Sequence, residues 1–153
     1  MGKLQEREGI AAYQMEEIKF TIYGVARPKG GAHTVTKNGR TWGYVPKSVK
    51  DWEDTIRAQA HKYRSPELLK EALKLEAHFY RAPLKSFSNK KRELALTGII
   101  RPATSPDLDK CVRALQDAIT GIIFGNDSII VDLVSSKWYG DPPRVEVIIS
   151  NAD

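Results

Sequence analysis

At 153 residues, 41% hydrophobic and 28% charged, the chain has the size and composition of one folded domain with a real core, not of a disordered tail. No apolar run approaches the roughly 20 residues a membrane helix needs. The first residues lack the apolar core of a secretion signal, so a cytoplasmic protein without a membrane partner is expected. A single cysteine, Cys111, excludes an intrachain disulfide and a thiolate zinc site, and His33, His61 and His78 show no ligand spacing.

Residues 1–14 carry mixed charge and no periodicity, and read as a frayed arm or short helix. This sets a flexible arm over 1–15 and one domain over 16–153. Ile18 to Val25 alternates around β-branched and aromatic residues, which predicts a strand. Thr34 to Val45 predicts a hairpin turning at Asn38-Gly39, since both central positions of such a turn need positive φ. Trp42 and Tyr44 on that hairpin are expected to pack against the sheet, with stacking on an unpaired base as the alternative. Pro46 to about Tyr63 reads as a helix with Ser48 as N-cap, and Ser65-Pro66-Glu67 as a further helical turn. Leu73 to Tyr80 alternates cleanly as a half-buried strand, and Ser88 to Leu96 forms a short basic helix closed by Gly98. Leu108 to about Thr120 places Leu108, Cys111, Val112, Leu115, Ala118, Ile119 and Ile122 on one apolar stripe. Ile129 to Tyr139 and Arg144 to Ile149 then read as two strands joined at Gly140. With hairpins on both sides of the helices, the order predicts a single α+β domain with a mixed or antiparallel sheet packed by helices.

The net charge is +5 and strongly segregated. Arg27 to Lys50 and Arg81 to Arg92 contain no acid, while Asp107 to Asp132 carries five aspartates against Lys110 and Arg113. Like charges gathered in this way repel one another, so such segregation implies a polyanionic ligand for the basic segments. Arg27, Lys29, Lys37, Arg40 and Lys47 are the first candidates for DNA contact, with Lys90, Lys91 and Arg92 next. Each of these lysines taken singly is an ordinary solvated charge. Taken singly, too, Asp107 reads as a helix N-cap, Asp109 as a first-turn acid complementing the helix dipole, and Asp127 as a turn residue. Together, flanking one helix, they form a candidate set for a hard divalent cation, which prefers oxygen ligands and takes only one or two carboxylates. Asp117 is expected to pair with Arg113 along the helix.

Pro106-Asp107-Leu108-Asp109, Asp117-Ala118-Ile119-Thr120-Gly121 and Asn126-Asp127-Ser128 together resemble the RusA family of Holliday junction endonucleases. Gly24 to Gly30, Thr36 to Thr41, Tyr44 to Lys47 and Arg81 to Arg92 also resemble phage-type members. The likeness runs from about residue 18 to 149. It implies a RusA-like fold and a nuclease that resolves four-way DNA junctions in recombination and repair. Asp107, Asp109 and Asp127 match the catalytic metal-binding acids, with Mg²⁺ as cofactor and Mn²⁺ able to satisfy the same ligands. Arg113 stands where the family places a catalytic lysine; it keeps the charge but stays protonated. Lys110 replaces an asparagine, and Asn126 the first acid of an Asp-Asp pair. A homodimer is implied, since two strands of a four-way junction must be cut symmetrically. A DNA-binding member with little or no catalysis, and a broader branched-DNA nuclease, are the alternatives.

Overall fold

The computed structural model describes residues 3–7, 10–31 and 33–152, with the backbone alone for 3–14. The segment expected as an arm or short helix holds two antiparallel strands, β1 (Lys3–Arg7) and β2 (Ile10–Gln14), which among the described residues pair with each other alone. Residues 1, 2, 8 and 9 of that segment lie outside the described residues. The chain then runs through β3 (Ile18–Tyr23), β4 (His33–Lys37), β5 (Arg40–Tyr44) and α1 (Lys47–Ala60). It continues through β6 (Leu73–Arg81), α2 (Asn89–Leu96), α3 (Leu108–Ile119), β7 (Ile130–Tyr139) and β8 (Arg144–Asn151). This is the α+β domain that the alternation of hairpins and helices predicts.

The main sheet has the order β3-β8-β6-β7, parallel between β6 and β7 and antiparallel elsewhere. One face is apolar. Phe20 and Ile22, Leu73, Leu75, Ala77 and Phe79, and Val145, Val147 and Ile149 all enter the core, following the two-residue period of strands. Trp52, Ile56 and Ala60 of α1 join them, with Cys111, Val112, Leu115, Ala118 and Ile119 of α3. Each fully buried aliphatic side chain here contributes roughly 1.5–3 kcal/mol relative to exposure. That stripe fixes which way α3 faces, and so sends Asp107 and Asp109 toward solvent.

Three local expectations are corrected. Pro46, not Ser48, caps α1, and its carbonyl accepts from Val49 at 3.0 Å and Lys50 at 3.1 Å without any side-chain cap. Pro66 and Glu67 form a bend, not a helical turn, and Leu69 instead bridges to Phe124. The last two strands are not neighbours, because β6 lies between them. β6 offers hydrogen-bonding edges on both sides, so the chain leaving β7 steps over its end before β8 can pair.

Gly140 makes that step feasible. A Cβ there would sit 2.8 Å from Tyr80 Cδ1 and 3.1 Å from Tyr80 Cβ, and its amide donates to the Arg81 carbonyl at 2.9 Å. Tyr80 cannot retreat, since the Arg144 guanidinium lies 4.1 Å above its ring. Gly140→Ala is expected to destabilise the protein by about 1–3 kcal/mol, as overpacking does. An unchanged midpoint in urea unfolding would contradict that tight crossing.

Candidate active site

The carboxyl ends of the parallel strands β6 and β7 open into a cleft of about 570 Å³. Arg27, Arg81, Lys110 and Lys137 line it, and Asp107 is its only acid among the described residues. Asp107 is the cap residue of α3, yet its side chain makes no cap hydrogen bond. It pairs instead with Lys110 at 3.1 Å, an exposed contact of little energetic weight.

The loop that delivers Asp107 is clamped from below. Arg81 Nη1 donates to Thr104 Oγ1 at 3.2 Å and to the Ser105 carbonyl at 2.9 Å. Lys137 Nζ donates to the carbonyls of Thr104 at 2.8 Å and Pro106 at 3.0 Å. Arg101 lies 3.3 Å over the Trp138 ring and donates through Nε to the Lys137 carbonyl at 2.8 Å. No motif marks Lys137, and Arg81 is marked only as the first residue of a basic, family-like segment. The available signal was alternation along β7, which puts Lys137 on the core-facing side, an odd place for a lysine unless it has acceptors.

Cys111 lies behind this cleft, buried. Burial pushes its thiol up to about 11; Asp107 and Asp109 add to the shift and Lys137 opposes it. It is an inert core thiol, as its place on the apolar stripe predicts.

A second hollow, of about 370 Å³, lies beside the C-terminal half of α3 and is lined by Lys29, Glu53, Arg57, Asp117, Asn126 and Asp127. Asn126 accepts from the Ser128 amide at 2.9 Å and leaves Asp127 exposed on the following 3₁₀ turn. Lys29 is turned inward. Its Nζ meets Asp117 at 2.9 Å and Glu53 at 3.3 Å, and Glu53 is only 4% exposed. Burial alone would lower the Lys29 ammonium, but Asp117 and then Glu53 outweigh it and hold its pKa above the ordinary lysine value. Asp117 is therefore partnered by Lys29, not by Arg113. Arg113 is exposed and lines a third hollow with Gly30, Tyr44 and Lys50.

The three candidate acids are not gathered at one point. Asp107 caps α3 and lines the first cleft, Asp109 stands in the first turn, and Asp127 lies on the 3₁₀ turn after the helix, where it lines the second hollow. Among the described residues, no group of three carboxylate, imidazole or thiol side chains is placed to hold a metal ion. The donors are the right type, hard oxygens, but this geometry does not fit a ready-made three-carboxylate centre.

The basic candidates also divide. Lys29, Lys47 and Arg92 are ion-paired, Lys47 with Asp51 at 2.8 Å and Arg92 with Asp141 at 3.2 Å. Lys91 sits 4.3 Å over the Phe87 ring. Arg27, Lys37, Arg40 and Lys90 are exposed with no ion pair among the described residues. No helix among those residues is long and apolar enough to cross a membrane.

Comparison with known proteins places this mixed sheet and its basic cleft in a family. The chain matches the family described as "Endodeoxyribonuclease RusA" over residues 24–150. It belongs to that RusA family. It is also similar to the "Uncharacterized protein YqaN" of Bacillus subtilis (strain 168), 36% identical over 137 residues that span 88% of this chain and 96% of that relative.

Proposed function

We propose that this chain is a divalent-metal-dependent endonuclease that resolves four-way DNA junctions, acting in the cytoplasm in recombination and repair. The cleft carries this reading: one exposed aspartate surrounded by Arg27, Arg81, Lys110 and Lys137 combines a hard oxygen ligand with phosphate-attracting charge. Asp107 and Asp109 are assigned as ligands of Mg²⁺, for which Mn²⁺ can substitute. Asp127 joins them on the family likeness alone, and Arg113 is assigned to neutralise phosphate charge. Arg27, Lys37, Arg40 and Lys90 are the phosphate contacts, with Lys47, Lys91 and Arg92 secondary.

A homodimer would supply two cuts on a two-fold symmetric junction. The edge strand β7, where Val131 is 60% and Leu133 51% exposed, is the surface assigned to it. A second reading, a DNA-binding member with weak catalysis, is favoured by Asp107, Asp127 and Arg113 lining three different hollows.

Incubation of the protein with a labelled four-way junction, a fork and a duplex, with and without Mg²⁺, tests the assignment. Paired nicks in the junction only, and only with metal, are expected, together with a dimer by sedimentation. Binding without nicks would replace this reading with the second one; cutting of all three substrates would leave only a general nuclease.

A further inference from the structure

The β4–β5 hairpin is uncovered on both faces. Every residue of His33–Lys37 and Arg40–Tyr44 is exposed, and the two strands form their own separate sheet. Asn38 and Gly39 turn it with φ of 52° and 71°, the left-handed pair that Asn-Gly supplies. The expectation that Trp42 and Tyr44 pack against the main sheet is thereby corrected: they are 47% and 44% exposed.

Cross-strand register sorts the side chains. Val35 faces Trp42, His33 faces Tyr44 and Lys37 faces Arg40, all on one side of the ribbon. The other side carries threonines, with Thr36 and Thr41 joined through their hydroxyls at 2.8 Å. His33 and Tyr44 rings lie 5.5 Å apart and tilted. One ribbon face is thus aromatic, with two cations at its tip.

Charge decides what can cover that face. No acid occurs from Arg27 to Lys50, and Lys37 and Arg40 have no ion pair among the described residues. A second copy of this chain would bring the same cations against them. An acidic partner with flat apolar surfaces satisfies both features, and nucleobases beside their phosphates are such a surface. Paired duplex hides base faces in its stack, whereas a branch point exposes them. The ribbon base also borders the hollow that contains Arg113 of α3, so the hairpin stands next to the helix that carries Asp107.

We propose that the β4–β5 hairpin selects branched over linear DNA, Trp42 stacking on a base exposed at the branch point while Lys37 and Arg40 hold the flanking phosphates. The DNA partner rests on the nuclease reading above, but the selection itself is a property of binding and does not need cleavage.

The test uses the full chain, without metal, and four-way junction, duplex and single strand, with 2-aminopurine at the branch point. Trp42→Ala is expected to weaken junction binding about 10-fold, within the range one base–aromatic stack supplies, and to leave duplex affinity unchanged. Trp42→Phe should restore most of it, and the 2-aminopurine signal should respond to wild type but not to Trp42→Ala. Lys37→Ala with Arg40→Ala should weaken all DNAs and reduce the salt slope by about 2. Equal junction binding by Trp42→Ala would overturn the proposal, as would equal loss on junction and duplex. A shift from dimer to monomer in Trp42→Ala would also overturn it, assigning the face to a second copy. Junction-selective binding lost in Trp42→Ala, in a protein that never cuts, would sink the nuclease reading and keep this one.

Discussion

Asp107→Asn is expected to lower junction cleavage on the order of 10³-fold, the range that loss of one positioned acid–base or electrostatic group costs. The substitution is nearly isosteric and keeps a good helix-cap residue type, and the native carboxylate makes no cap bond to lose. Folding should therefore be intact. Junction affinity should hold or tighten, since an anion leaves a cleft lined by Arg27, Arg81, Lys110 and Lys137. Asp127→Asn is expected to follow the same pattern, and it is the more searching variant because Asp127 stands beyond the other end of α3. Wild-type rates in Asp107→Asn would remove the cleft from catalysis. Wild-type rates in Asp127→Asn alone would confine the chemistry to the first turn of α3.

The second large effect concerns stability. Lys29→Met strips both Glu53 and Asp117 of their ammonium partner, and Glu53 is buried. Removing one member of a buried ion pair costs about 3–5 kcal/mol, because the remaining charge stays out of water. Arg57, at 3.5 Å from Glu53, offsets part of this, so about 3 kcal/mol is expected. For a domain of this size that lowers Tm by about 9 °C. Since Lys29 is held above the ordinary lysine pKa, its contribution is complete below that ordinary value. It fades as pH rises through the elevated folded value. The stability difference between wild type and Lys29→Met should therefore be constant at neutral pH and shrink in strong alkali. Lys29→Met with Glu53→Met should recover much of the loss, as apolar replacements of buried pairs do. A loss below about 1 kcal/mol in the single variant, the level of a surface pair, would return Lys29 to the surface as a phosphate contact.

Much of the fold was legible because it rests on local period. The α3 stripe, the alternation along β6 and the Asn-Gly turn each express burial or backbone geometry within a few residues. The β1–β2 pair was not legible, since no alternation marks it. Strand order was missed for a different reason. Nothing within residues 130–151 announces that β6 will separate β7 from β8.

The site divides in the same way. Asp107, Asp109 and Asp127 are visible as residues, but which hollow each of them lines is set by the folded chain. Glu53 carried an overlooked signal: an acid among Val49, Ile56 and Ala60 on the inward face of α1 requires a cation, and Lys29 is that cation. Lys137 needed both strand alternation and the loop from Pro102 to Pro106 above it, which only the folded chain brings together.

That arrangement of Lys137 and Arg81 has a consequence for how the cleft meets a nucleic acid. Lys137 directs two of its three N–H donors to main-chain carbonyls and Arg81 directs one Nη to the same loop, while both positive charges remain. What Lys137 projects into the cleft is a field with little direction. Such a field draws in any phosphodiester alike, and leaves discrimination to whatever part of the molecule can feel shape.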